Sequence, residues 1–204
     1  MKVIIVTGGI GSGKSTVCSI LQSEFGFPIY EADRRVKELY QEHPALLTDI
    51  EKALGETYRN EEGRFVPAGL ASRIFSDPAA LRVVEGIVFP ILRKDFDRWK
   101  IQNADKDFLV LESATILQKP ELIGLGDYVA VVDAPLELRI KRALERGGLS
   151  YDSVYDRARN QELMNDISAG NVPSSVDYVI MNDGSRETLS ENVRKCIELI
   201  YKVL

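Results

Sequence analysis

The segment Gly8-Gly9-Ile10-Gly11-Ser12-Gly13-Lys14-Ser15 constrains this chain more than any other. It fits G-x-x-x-x-G-K-[ST], the pattern of a loop that wraps phosphates. Its surroundings suit that reading. The apolar run 3–6 precedes it, and a stretch with Val17, Ile20, Leu21 and Phe25 at helical spacing follows. A buried strand would therefore enter a glycine-rich turn that opens a helix, with Gly26 as its C-terminal stop. In such a turn successive N–H groups face inward, and the helix N-terminus adds its positive end. Lys14 is then expected on the β- and γ-phosphates, and Ser15 on Mg²⁺.

The rest of the chain supports an open α/β sheet. Five short apolar runs, 3–6, 28–30, 108–111, 128–132 and 178–181, read as strands, with helical patterns between them. Near-continuous Val, Ile, Leu and Phe indicates strands buried on both faces, as in a parallel sheet. About 75 residues separate the second and third runs, where a parallel crossover needs about a dozen. The excess predicts a helical insertion, 34–105, of the kind that holds a substrate. Asp77-Pro78 is an N-cap and first-turn pair inside it. Val84, Ile87, Val88, Ile91, Leu92 and Trp99 then recur at helical spacing, and Pro90 should kink or break that helix. A second insertion, 136–170, opens with a charged helix stopped by Gly147-Gly148, and a further helix is expected over about 151–165. The last helix carries Leu189, Val193, Ile197, Ile200 and Leu204 as its stripe, with Ser185 as N-cap.

Several function classes are excluded by composition. His43 is the single histidine, so no site needing two imidazoles can form. Cys18 and Cys196 make no disulfide framework and suit a reducing, cytoplasmic setting, with Cys18 expected as a core filler. A net charge of −5 argues against broad nucleic-acid or anionic-membrane binding. The first apolar run is too short for a secretion signal or a membrane span. No Asn-Lys-x-Asp or Asp-x-x-Gly occurs, so the guanine-recognition and switch elements of GTPases are missing.

Other charged residues complete the candidate site. Glu112 and Asp133 end the third and fourth runs and compete for the second metal position. Arg139, Arg142 and Arg146 are three and four apart, so one helix face carries them. That face is either a solvated surface partly paired by Glu145 or a lid closing over a transferring phosphoryl group, and the neighbouring loop favours the lid. Asp33 follows the second run, at the crevice edge of an open sheet. It either caps the next helix or takes a hydroxyl proton, or does both.

Taken in order, these motifs resemble the dephospho-coenzyme A kinase family over nearly the whole chain. The resemblance rests on residues 7–16, then Gly26-Phe27-Pro28-Ile29 leading into Glu31-Ala32-Asp33, and Ile74-Phe75-Ser76-Asp77-Pro78. It continues through Val131-Val132-Asp133-Ala134-Pro135, Arg146-Gly147-Gly148-Leu149-Ser150, Arg157 with Gln161, and Asp177-Tyr178-Val179-Ile180. Three places depart from the family pattern: Glu31 replaces an Asp, Phe89-Pro90 replaces His-Pro, and residues 114–118 replace Pro-Leu-Leu-Phe-Glu. The resemblance implies a phosphate-loop kinase core with a five-stranded parallel sheet, a helical coenzyme A-binding insertion and a lid. It implies ATP-dependent phosphorylation of the ribose 3′-hydroxyl of dephospho-coenzyme A. Asp33 would be the base or hydroxyl-orienting carboxylate, Lys14 and Ser15 would hold phosphates and Mg²⁺, and Arg142 and Arg146 would supply lid charge, with Arg139 a weaker candidate. Gly9, Gly11, Ser12, Gly13, Thr16 and Asn182 would complete the ATP site, with Asn182 near adenine and Glu112 orienting Mg²⁺-bound water. Two alternatives remain: a kinase for a nucleotide or sugar acceptor, and a nucleotide-gated module without turnover.

Overall fold

The computed structural model describes residues 1–148 and 150–203; for Gln118, Pro120, Glu121, Glu162 and Leu163 it describes the main chain alone. Leu149 and Leu204, both used in the sequence reading, lie outside the described residues. In chain order the elements are β1 (Lys2–Gly8), α1 (Lys14–Phe25), β2 (Ile29–Glu31), α2 (Ala32–Glu42), α3 (Pro44–Leu54), α4 (Pro67–Ser76) and α5 (Pro78–Gln102). There follow β3 (Phe108–Glu112), a 3₁₀ turn (Ile116–Gln118), α6 (Pro120–Ile123), β4 (Tyr128–Asp133), α7 (Leu136–Glu145), α8 (Tyr151–Arg159), α9 (Glu162–Ser168), β5 (Tyr178–Met181) and α10 (Arg186–Lys202). The chain forms two compact units, Met1–Glu31 with Asn103–Leu204, and Ala32–Gln102. Among the described residues no helix is long and apolar enough to cross a membrane.

The first unit holds a parallel sheet in the order β2-β3-β1-β4-β5. Its strands are apolar at consecutive positions because both faces are covered. Ile4, Val6, Val110, Ala130, Val132 and Ile180 form one core with Val17, Ile20 and Leu21 of α1 and Leu189, Val193, Ile197 and Ile200 of α10. Val3, Ile5, Leu109, Leu111, Val129 and Val131, at the alternate positions, are buried as well. Two carboxylates finish the sheet at its N-terminal edge: Asp127 accepts from the Val3 N–H at 2.8 Å, and Asp177 from the Val129 N–H at 2.7 Å. Glu24 of α1 accepts from Ser190 and Arg194 of α10 and joins those two helices.

The second unit is helical, apart from an antiparallel bridge between Arg59 and Phe65. Asp77 caps α5 as expected, accepting from the N–H groups of Ala79 and Ala80. Pro90, however, does not break α5, which runs on to Gln102. Proline removes one helical hydrogen bond and crowds the carbonyl four residues earlier. Here that residue is Gly86, and burial of Val84, Val88, Leu92 and Phe96 holds the helix together on either side. The buried stripe also contains Asp95, a position the apolar pattern did not mark.

Asp95 explains why a carboxylate tolerates that place. Arg35 of α2 grips it with two hydrogen bonds, Nε to Oδ2 at 2.7 Å and Nη2 to Oδ1 at 2.9 Å, and Arg98 adds a third. The same guanidinium holds Glu42 through two bonds and Glu38 through one. These carboxylates raise the Arg35 pKa, with the Asp95 hydrogen bond the largest cause. The network fastens α2 to α5. Replacing Arg35 by Met should remove the two-point grip on the Asp95 charge and cost on the order of 2 kcal/mol of stability. Urea unfolding measures this. A variant within about 0.5 kcal/mol of the parent, the usual range for a surface change, would refute the network's role.

Candidate active site

The phosphate loop joins β1 to α1, and other parts of the first unit press on it from outside. Gly11 has φ +73°, and a Cβ there would run into the Arg139 carbonyl of α7. Only glycine meets both demands. Gly13 stands at the N-cap of α1, also in the left-handed region, against the Asn182 side chain. Asn182, in the turn after β5, donates Nδ2 to the Ser12 carbonyl at 2.7 Å. Ser12 is fully buried, and its Oγ has no hydrogen-bond partner among the described residues.

Lys14 bends back over the loop, donating Nζ to the carbonyls of Gly8 at 2.9 Å and Gly9 at 3.2 Å. Ser15 is exposed and Thr16 half-buried in the first turn of α1. A helix leaves its first-turn N–H groups without intrahelical acceptors, so this turn presents donors as well as a positive end. Beside it, Glu31 and Glu112 are register partners at the carboxyl ends of β2 and β3. Cys18 reports the field of this region. Burial pushes its pKa up to about 12, and the Glu112 and Glu31 charges add to the rise while Lys14 opposes it. The thiol stays protonated and acts as core filler.

Asp133 competes poorly for a metal. It is 2% exposed, and Ser168 donates to both of its oxygens, at 2.9 and 2.8 Å. Glu112 is half-buried at its strand end. Among the described residues, no group of three or more His, Cys, Asp or Glu is placed to hold a metal.

The arginines do not share one solvated face. Arg139 is 1% exposed and lies against the loop. Its Nη2 reaches the Ala158 carbonyl at 3.3 Å and the Gln161 Oε1 at 3.2 Å, and Nη1 is 4.0 Å from Asp133. Burial lowers its pKa, and Asp133 opposes that shift. Arg142 donates to the Asn182 carbonyl at 2.8 Å and to its Oδ1 at 3.3 Å, while Arg146 is exposed. Helical spacing set the three side by side, but packing on the loop drew Arg139 inside. The helix expected over about 151–165 is also two, α8 and α9, meeting at Asn160-Gln161. Asn165 caps the break by donating Nδ2 to the Arg159 carbonyl at 2.9 Å. Asp33 belongs to the helical unit, exposed and in the first turn of α2 rather than at its cap. The contacts of Asn182, Gln161 and Arg139 with the loop had no local signal, since their partners are far away in sequence.

A sequence model of the dephospho-CoA kinase family (CoaE) matches residues 2–188. The dephospho-CoA kinase of Porphyromonas gingivalis is 35% identical over 183 residues, which cover 89% of this chain and 86% of that protein. A crystal structure from Thermus thermophilus superimposes with a TM-score of 0.81 at 29% identity, covering 97% of this chain and 96% of its own. The dephospho-CoA kinase of Campylobacter jejuni shares the fold, with a TM-score of 0.65 at 24% identity, covering 98% of this chain and 97% of its own. A phosphate loop of this build, in a five-stranded parallel sheet and within a match spanning most of the sequence, makes this chain a member of the dephospho-CoA kinase family.

Proposed function

We infer that the protein transfers the γ-phosphoryl group of ATP to the ribose 3′-hydroxyl of dephospho-CoA, giving coenzyme A and ADP in the last step of coenzyme A synthesis. The observation that carries this reading is the intact phosphate loop, with Lys14 folded over it and Ser15 in the first turn of α1, inside a family match over residues 2–188. In the reaction the 3′-oxygen bonds to the γ-phosphorus, the bond to the β–γ bridging oxygen breaks, and the hydroxyl proton passes to a carboxylate. Phosphoryl transfer has a loose transition state, so the protein mainly positions groups and offsets charge.

In this reading Lys14 exchanges its two loop carbonyls for the β- and γ-phosphates, and the first turn of α1 adds N–H donors. Ser15 and Glu112 are the oxygen ligands suited to Mg²⁺, Ser15 directly and Glu112 through water. That ion neutralises phosphate charge when bound. Gly9, Gly11, Ser12, Gly13 and Thr16 shape the ATP cradle. Asn182 belongs to the site as a brace of the loop, because its carboxamide is taken up by Ser12 and Arg142. Arg142 and Arg146 supply charge from residues 136–170, the proposed lid. The helical unit is the proposed seat of the acceptor.

A coupled ADP-release assay with dephospho-CoA, AMP, CMP and gluconate tests the reading. Turnover should need dephospho-CoA, and turnover with another acceptor alone would overturn it. Lys14→Ala should lower turnover by roughly 10²–10³, as loss of a preorganised charge does elsewhere. Near-normal turnover would remove Lys14 from the phosphates.

We assign the hydroxyl proton to Asp33 rather than Glu31. Asp33→Asn keeps size but removes charge, so turnover should fall by about 10²–10⁴ while ATP affinity changes little. A normal Asp33→Asn enzyme beside a failing Glu31→Gln enzyme would reverse the assignment.

A further inference from the structure

The break between α8 and α9 turns one side chain toward the phosphate loop. Gln161 uses a single oxygen twice: Oε1 accepts from the Ile10 N–H at 3.0 Å and from Arg139 Nη2 at 3.2 Å. A carboxamide oxygen has two lone pairs, so both are engaged. The Ile10 N–H is thereby held by a side chain 151 residues along the chain, which ties the loop to the α8–α9 junction.

Gly9 shows how close the approach is. A Cβ there would lie 2.7 Å from Gln161 Oε1 and 2.9 Å from Arg139 Cζ. Gly9 is outside the left-handed region that Gly8, Gly11 and Gly13 occupy. Glycine at this position is therefore a matter of space: it lets those two side chains approach the loop without shifting. Arg139 depends on the contact as well. Its Nε is buried without a hydrogen-bond partner, and Asp133 stands 4.0 Å away, so Gln161 and the Ala158 carbonyl supply its hydrogen bonds among the described residues.

We propose that Gln161 is a positioning residue for the nucleotide. By clamping the Ile10 N–H and the Arg139 guanidinium together, it makes the α8–α9 junction set the phosphate loop in the shape that receives ATP. The proposal rests on the kinase reading above. It adds that residues 136–170 carry, besides lid charge, the element that shapes the loop.

Two variants test it, with ATP and dephospho-CoA varied separately. Gln161→Met keeps the length and loses the acceptor. Losing one neutral and one charge-assisted hydrogen bond should raise KM for ATP about tenfold. KM for dephospho-CoA should stay within about twofold, a split that a general loss of folded enzyme does not produce. Gln161→Glu keeps the acceptor and adds a negative charge. Its ATP deficit should shrink as salt rises from about 0.05 M to 0.5 M, because screening weakens the added repulsion. A Gln161→Met enzyme whose KM for ATP is within about twofold of the parent overturns the proposal, as does an equal rise in both KM values. If Gln161→Met does not fold, Gln161→Glu decides: because it keeps both accepting positions, KM for ATP within about twofold of the parent at about 0.5 M salt supports the clamp, and a selective ATP deficit that salt leaves unchanged overturns it. Turnover of dephospho-CoA by the parent enzyme, run alongside, tests the kinase reading separately.

Discussion

A hydrogen bond between residues 170 positions apart, from the Asn182 carboxamide to the Ser12 carbonyl, fixes the turn on which the site depends. A glycine-rich loop loses more conformational entropy on ordering than other segments do. Its shape must therefore be imposed from outside. Asn182 holds the α1 side, the Arg139 main chain presses on Gly11, and Gln161 takes the Ile10 N–H. The parallel order β3-β1-β4 makes this possible, because the carboxyl ends of neighbouring strands deliver their loops to the same edge as β1.

Charge is distributed around that edge by degree of burial. Arg139 is inside, and its cost is offset by Asp133 nearby, the Ala158 carbonyl and the Gln161 carboxamide. Asp133 in turn is satisfied by Ser168. Lys14, Ser15 and Glu112 remain where solvent and ligand can reach them. Asp133 and Glu112 look alike as acidic strand ends, but Asp133 is buried against Ser168 while Glu112 is half-buried.

The helical unit uses the same physics for a different purpose. Arg35 collects Asp95, Glu42 and Glu38 and holds the first helix of the unit to its longest one. Bidentate guanidinium–carboxylate geometry gives direction that apolar contacts lack. The acceptor seat proposed for this unit needs helices in a fixed relation, and this cluster fixes α2 against α5.

The sequence by itself determined the strands, the phosphate loop and the extent of α1. These rest on local causes: apolar runs buried on both faces, a glycine pattern and a helical stripe that ends at Gly26. It also marked the caps at Asp77 and Ser185, where a side chain bonds to N–H groups two or three residues on. Pro90, the α8–α9 break and the placing of Arg139 went otherwise. Proline's local penalty was outweighed by packing along α5. At the break Asn165 reaches back to Arg159, and Gln161 reaches back to a loop 151 residues earlier in sequence. Helical periodicity gives the side of a helix on which a residue stands, but not what will be packed against that side. Only the tertiary structure brought the loop, α7 and the turn after β5 together, and so only it decided which charges are buried against the loop and which stand nearer its surface.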